Sequence, residues 1–171
     1  LLYEAGEGAI GYAGSTEGVT FERLGAGPLL EATLPEEGSR VGQPAAVWLD
    51  GRLFLYYAAP DVGAIFLATV TFDGAPVVEK VDADPLSPGH DPVLGPNVFA
   101  EEFDTGAVAS PMVRITRFAD RPVFDLWYAG RATGDEWTIG FAGSHDGLLF
   151  KRFSENPSLP AGGPVERDPA V

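Results

Sequence analysis

The chain has 171 residues, 45% hydrophobic and 11% aromatic, enough apolar material to bury a sizeable core as a folded globular domain. Lys and Arg number 11 against 25 Asp and Glu, a net charge of −14, which repels phosphate backbones and anionic lipid and argues against nucleic acid as a partner. There is no cysteine, which excludes a disulfide scaffold, a thiolate zinc site and a cysteine nucleophile, while leaving the compartment open, secreted and periplasmic space included.

No apolar run approaches the roughly 18 residues a membrane-spanning helix needs, so no membrane insertion is expected. The first residues, "LLYEAG", carry no methionine, basic n-region or small-residue cleavage site, so no targeting segment is read from them. From there the chain reads as short aromatic or β-branched runs bounded by Gly and Pro, an all-β signature with little helix. "LLYEAG" (1–6) and "AIGYAGS" (9–15) predict two strands, Glu17-Gly18 a tight turn, "FER" a further strand and "GPLL" a closing phrase. A second unit follows: "GQPAAVW" (42–48), "LFLYYAA" (53–59), "AIFLATV" (64–70), a turn at Asp73-Gly74, a strand with "VEK" and the closing phrase "DPLSP". A third runs through "ASPMVRI" (109–115), "FDLWYAG" (124–130), "TIGFAGS" (138–144), Asp146-Gly147, "FKR" and "NPSLP". Near-copies at 10–23 ("IGYAGSTEGVTFER") and 139–152 ("IGFAGSHDGLLFKR") fix the alignment of the units.

Four antiparallel strands repeated about every 60 residues is how a β-propeller blade reads. The expected organisation is one partial propeller domain over 1–171. An incomplete blade lies at 1–34, full blades at 41–88 and 107–160, and the first strand of a further blade at 165–171. Either the chain is a fragment, or its last strand (168–171) completes the blade begun by 1–23 as chains associate into a ring. An unpartnered end blade exposes an apolar face, so self-association, or completion by further blades, is expected.

The phrase "SPMV…LWYAG…IGFAGSHDGLLFKRFSENPSL" resembles the blade repeat of the five-bladed propeller glycoside hydrolases and phosphorylases, which include arabinanases, β-xylosidases, invertases, levansucrases and mannoside phosphorylases. The resemblance implies a five-bladed type of propeller acting on or binding carbohydrate at the mouth of its central channel, with no cofactor and no metal. It further implies catalytic carboxylates on the innermost strands, one protonating the leaving oxygen and one acting as base or nucleophile. The matching positions precede the innermost-strand prolines: Gln43, Ser110 and Asp168. Only Asp168 is acidic, within Arg167-Asp168-Pro169, and it is the candidate catalytic residue. Arg167, Gln43, Ser110, Glu102, Asp104 and Trp137 are the candidate substrate-binding residues. With Gln43 and Ser110 in place of acids, the alternative is a non-catalytic scaffold for carbohydrate or protein binding.

Several residues take a plainer reading. Ser144-His145-Asp146-Gly147 and Ser15-Thr16-Glu17-Gly18 read as structural turns in which the acid accepts backbone N–H groups and Gly takes the positive φ. Glu4 reads as edge-exposed or satisfied within a blade, Asp91 as structural, and His90 and His145 as isolated turn histidines. Trp48 and Trp127 read as inter-blade core, with Trp137 the exception.

Overall fold

The computed structural model describes residues 1–6 and 8–159, and these residues are all-β apart from one three-residue 3-10 turn at Pro35–Glu37. The strands form three four-stranded antiparallel sheets arranged as propeller-like blades. The first holds β1 (Leu2–Ala5), β2 (Ala9–Gly14), β3 (Glu22–Arg23) and β4 (Leu30–Glu31). In the second, β5 (Gly42–Leu49), β6 (Arg52–Ala59), β7 (Ala64–Thr71) and β8 (Val77–Val81) lie side by side in chain order. The third repeats that order with β9 (Ala107–Phe118), β10 (Arg121–Arg131), β11 (Thr138–Ser144) and β12 (Lys151–Arg152).

The middle blade explains why its sequence is so uniformly apolar. Leu53, Leu55, Tyr57 and Phe66 pack toward the first blade, whereas Tyr56, Ile65 and Leu67 pack toward the third. Both faces of β6 and β7 are covered, so "LFLYYAA" and "AIFLATV" read as continuous runs instead of alternating ones. At the joint with the third blade, Phe54 meets Phe124 at 5.5 Å between ring centroids and Tyr56 meets Phe150 edge-on at 5.8 Å. The Tyr56 hydroxyl donates to the Gly147 carbonyl at 3.0 Å, and a Cβ on Gly147 would stand 2.8 Å from that hydroxyl. Gly147 therefore serves both the positive φ of its turn and the closeness of two blades.

The fourth strand of each blade is split. One half of β2 pairs with β3 and the other with β4, which brings Ile10 opposite Leu30. In the second blade β8 covers one half of β7 while Ile65 bridges Leu94, and in the third β12 covers one half of β11 while Ile139 bridges Leu159. The closing phrase thus delivers a leucine to the same isoleucine of the third strand each time. In the second blade that leucine is Leu94, from "DPVLGP", and not the one in "DPLSP" that the sequence pattern suggests.

Candidate functional site at the innermost strands

Strands β5 and β9 are the inner members of their sheets and pack along each other. Both are bulged at the same step. Gly42 pairs with Ala58 and Ala45 with Tyr56, so Gln43 and Pro44 together face Tyr57. Ala109 pairs with Ala129 and Met112 with Trp127, so Ser110 and Pro111 together face Tyr128. At these bulges Gln43 adopts φ +50° and Ser110 φ +47°. A left-handed conformation in a non-glycine residue costs on the order of 1–3 kcal/mol, so the surroundings must hold each bulge in place.

The hold comes from the neighbouring blade. The Gln43 N–H donates to Glu4 Oε1 at 2.8 Å, and the Ser110 N–H donates to Gln43 Oε1 at 2.9 Å. A hydrogen-bonded line therefore runs Glu4, Gln43, Ser110 across three blades at one end of the inner strands. Glu4 is exposed, Gln43 half-buried and Ser110 6% exposed. Among the described residues the Gln43 amide nitrogen, the Ser110 hydroxyl and the second Glu4 oxygen make no hydrogen bond, which leaves donors and acceptors available on this rim.

Beneath each bulge lies a buried strut. The Tyr57 hydroxyl donates to Glu37 Oε1 at 2.6 Å, and Lys80 Nζ, on β8, reaches Glu37 Oε2 at 2.5 Å. The amides of Thr33 and Leu34 donate to the same oxygen at 2.9 and 3.0 Å. Burial by itself would raise the Glu37 carboxyl, but Lys80, Tyr57 and these two amides together hold it below its ordinary value. In the third blade the Tyr128 hydroxyl donates to Asp104 Oδ2 at 2.9 Å and Arg152 Nε, on β12, donates to it at 2.6 Å, with Arg152 also bonded to the Gly95 carbonyl. Both acids are 0% exposed. Burial, and then the adjoining carboxylate, push both tyrosine hydroxyls well above the ordinary phenol range.

The first blade carries the same device without its acid. Tyr3 lies opposite Gly11 as Tyr128 lies opposite Gly140, and a Cβ on either glycine would stand within 2.6 Å of the tyrosine ring. Arg23, on β3, donates from Nε to the Tyr3 hydroxyl at 2.8 Å and sits 5.8 Å from the ring centroid, much as Arg152 sits 6.0 Å from Tyr128. No carboxylate of the described residues joins this pair. This pairing also places Glu4 where the other blades have Ala58 and Ala129.

The sequence-derived candidates fall in different places. Gln43 and Ser110 come together at the bulges. Glu102 is exposed in the loop before β9, and Trp137 is half-buried with the Arg131 guanidinium 4.6 Å from its ring. Asp104 stands apart from the rim: it is sealed within the third blade and committed to Tyr128 and Arg152, because the loop entering β9 turns its carboxylate inward. Asp168 and Arg167 lie outside the described residues. Trp48 is 59% exposed against Phe72, and Trp127 is half-buried beneath Arg114 on the far face of the third blade. Neither is inter-blade core, since no further blade covers them among the described residues.

The turn readings correspond to visible bonds. Asp146 Oδ1 accepts the Leu148 and Leu149 amides at 2.8 and 3.0 Å, and Ser144 Oγ accepts the Gly147 amide at 3.0 Å. Burial alone would raise the Asp146 carboxyl, but these amides and the Ser144 hydroxyl hold it below its ordinary value. In the first blade Ser15 Oγ accepts the Gly18 amide at 2.8 Å. The residues that sequence reasoning missed are Glu37, Lys80 and Arg152. One signal could have found the acids: each buried carboxylate stands six residues ahead of the residue preceding the bulge proline.

The largest hollow, about 700 Å³, is lined by Phe118, Ala119, Arg121, Pro122 and His145. It lies at the tip of the β9–β10 hairpin, at the opposite end of β9 from Ser110. Among the described residues no group of three His, Asp or Glu side chains is placed to hold a metal ion, and no helix is long and apolar enough to cross a membrane.

No protein-family model matches the chain, and no curated protein matches it. Among solved structures, the protein is similar to one component of the BT0996 RGII complex, with a TM-score of 0.59 and 15% identity. The likeness covers 95% of this chain and 58% of that component, so the chain spans a little over half the length of its structural neighbour. At this identity the likeness supports the fold alone.

Proposed function

We propose that this chain is part of a five-bladed propeller that binds carbohydrate at the channel mouth, with Gln43 and Ser110 on the binding rim. The carrying observation is the line from Glu4 through Gln43 to Ser110, which fixes two strained backbones and leaves an amide, a hydroxyl and a carboxylate oxygen free at one rim. Neutral groups that both donate and accept suit sugar hydroxyls. Glu102 and Trp137 belong to the same proposal as peripheral contacts, the indole offering a flat apolar face to a sugar ring. The structural neighbour, a carbohydrate-related complex, supports the reading at the level of fold analogy.

The domain proposed is one partial propeller over 1–171, with blades at 1–34, 41–88 and 107–160 and a further first strand at 165–171. On this plan Arg167-Asp168-Pro169 repeats the position of Gln43-Pro44 and Ser110-Pro111, which makes Asp168 the proposed catalytic carboxylate of a glycosidase or glycoside phosphorylase. A binding-only scaffold is the second reading, favoured by the amide and hydroxyl at the other two positions.

The test is a panel of arabino-, xylo-, fructo- and manno-oligosaccharides, scored for both binding and product release. Binding that weakens at least tenfold in Gln43→Ala supports the rim site, and product release that disappears in Asp168→Asn supports catalysis. Binding without release selects the scaffold, and the absence of both overturns the proposal.

A further inference from the structure

The same three-part strut is complete in two blades and lacks one part in the first. In the second blade the acid is Glu37, delivered by the loop that leads into β5, and β5 then pairs with β6. In the third it is Asp104, delivered by the loop that leads into β9, and β9 pairs with β10. Acid and inner strand thus arrive together, as one segment. In the first blade Tyr3 and Arg23 stand in the same mutual arrangement, and among the described residues β1 pairs only with β2.

We propose that the outer edge of β1, with Tyr3 and Arg23 behind it, is a docking site for one further β-strand. The occupant has a stated chemistry: a segment that carries a carboxylate six residues ahead of an x-Pro bulge. The strand would add to β1 through its backbone N–H and C=O groups, a β-augmentation, while the carboxylate takes the Arg23 guanidinium and the Tyr3 hydroxyl. Charge complementarity favours this occupant. In a chain of net charge −14, Arg23 is a cation with no carboxylate partner among the described residues, placed where Lys80 and Arg152 each hold a buried acid.

The chain's own third x-Pro phrase fits less well. Six residues ahead of Asp168 stands Gly162, and the nearest acid, Glu166, is only two residues ahead. The spacing therefore points to a segment other than 166–171. Glu4 supports the same site from the other side. It accepts the Gln43 N–H from a second strand, whereas in the next blade the inner-strand residue Gln43 does this for Ser110. An arriving inner strand would bring its own bulge residue to Gln43 and release Glu4 to the rim.

The experiment titrates the 171-residue chain with a fluorescent peptide of residues 37–49, which contains both the acid and the β5 strand. Fluorescence anisotropy reads binding and hydrogen exchange reads the amides of Leu2–Ala5. Expected are saturable one-to-one binding and slowed exchange in β1. Affinity should fall at least tenfold for the Glu37→Gln peptide and for the Arg23→Ala chain, and stay unchanged for Arg117→Ala at the distant hairpin tip. The substituted peptide tests the contact without altering the protein, so a folding defect in the Arg23 variant cannot mask the answer. No saturable binding, or equal affinity for the Glu and Gln peptides, overturns the proposal.

Discussion

The first and third blades share a sequence pattern down to the phrase "AGS", yet they are built to different depths. In the third, Asp104 is sealed between Tyr128 and Arg152 with none of its surface exposed. In the first, Arg23 and Tyr3 meet each other at an open edge without an acid. The difference shows that the repeat conserves a scaffold of positions, whereas burial decides how much each position contributes. An ion pair out of water is costly to break because the surviving partner is stranded, while an exposed pair is screened by solvent.

Breaking the complete strut should have the largest effect. Asp104→Ala leaves Arg152 without its partner and the Tyr128 hydroxyl without an acceptor, and is expected to lower stability by about 3–5 kcal/mol in chemical denaturation. Arg23→Ala in the first blade is expected to change it by less than about 1 kcal/mol. Equal losses would mean that the first-blade pair is buried in solution by something that covers β1.

Removing one hydroxyl sharpens the comparison further. Tyr57→Phe deletes a hydrogen bond to a buried carboxylate, worth about 1.5–3 kcal/mol. Tyr3→Phe deletes an exposed one and should stay within about 0.5 kcal/mol in the same melt.

Acid should tell the second blade from the first as well. Folding holds the Glu37 carboxyl below its ordinary value, so its contribution is complete above about pH 4.3 and is lost as the pH falls through the folded-state value. Glu37→Gln should flatten that part of the stability profile, whereas Arg23→Ala should leave its slope intact. A wild-type profile that does not fall below the ordinary glutamate value would contradict the strut.

The smallest effect concerns the bulges. Ser110→Gly keeps the N–H that Gln43 accepts and removes the Cβ penalty at φ +47°, so a gain of up to about 1 kcal/mol is expected in thermal unfolding. A loss would show that packing of the Ser110 side chain outweighs its backbone strain.

The blades were legible in sequence because their second and third strands are short, aromatic and bounded by Gly and Pro, and because the Asp146-Gly147 turn carries its own local chemistry. Gln43 and Ser110 were legible for the same reason, each preceding a proline in a small-residue strand. The struts were not. Arg152 and Asp104 are 48 residues apart, and nothing local in "FDTG" distinguishes a buried acid from a solvated loop acid. The register of the first blade was obscured by a coincidence, since "EAG" at 4–6 resembles "YAG" at 128–130 and draws Glu4 onto Tyr128, when it is Tyr3 that takes that place. The closing leucine of the second blade was misassigned because "DPLSP" and "DPVLGP" both satisfy the pattern, and only the bridge to Ile65 separates them.

The six-residue interval between each buried acid and its bulge has a consequence for how such a chain can change. The anchor that secures the blade and the side chain that meets a ligand occupy separate sites on one short segment, joined by backbone and by no shared contact. A substitution at Gln43 or Ser110 can therefore alter recognition while the anchor at Glu37 or Asp104 keeps its grip. Duplicated blades of this design are free to diversify their chemistry one rim position at a time, with folding insulated from the experiment.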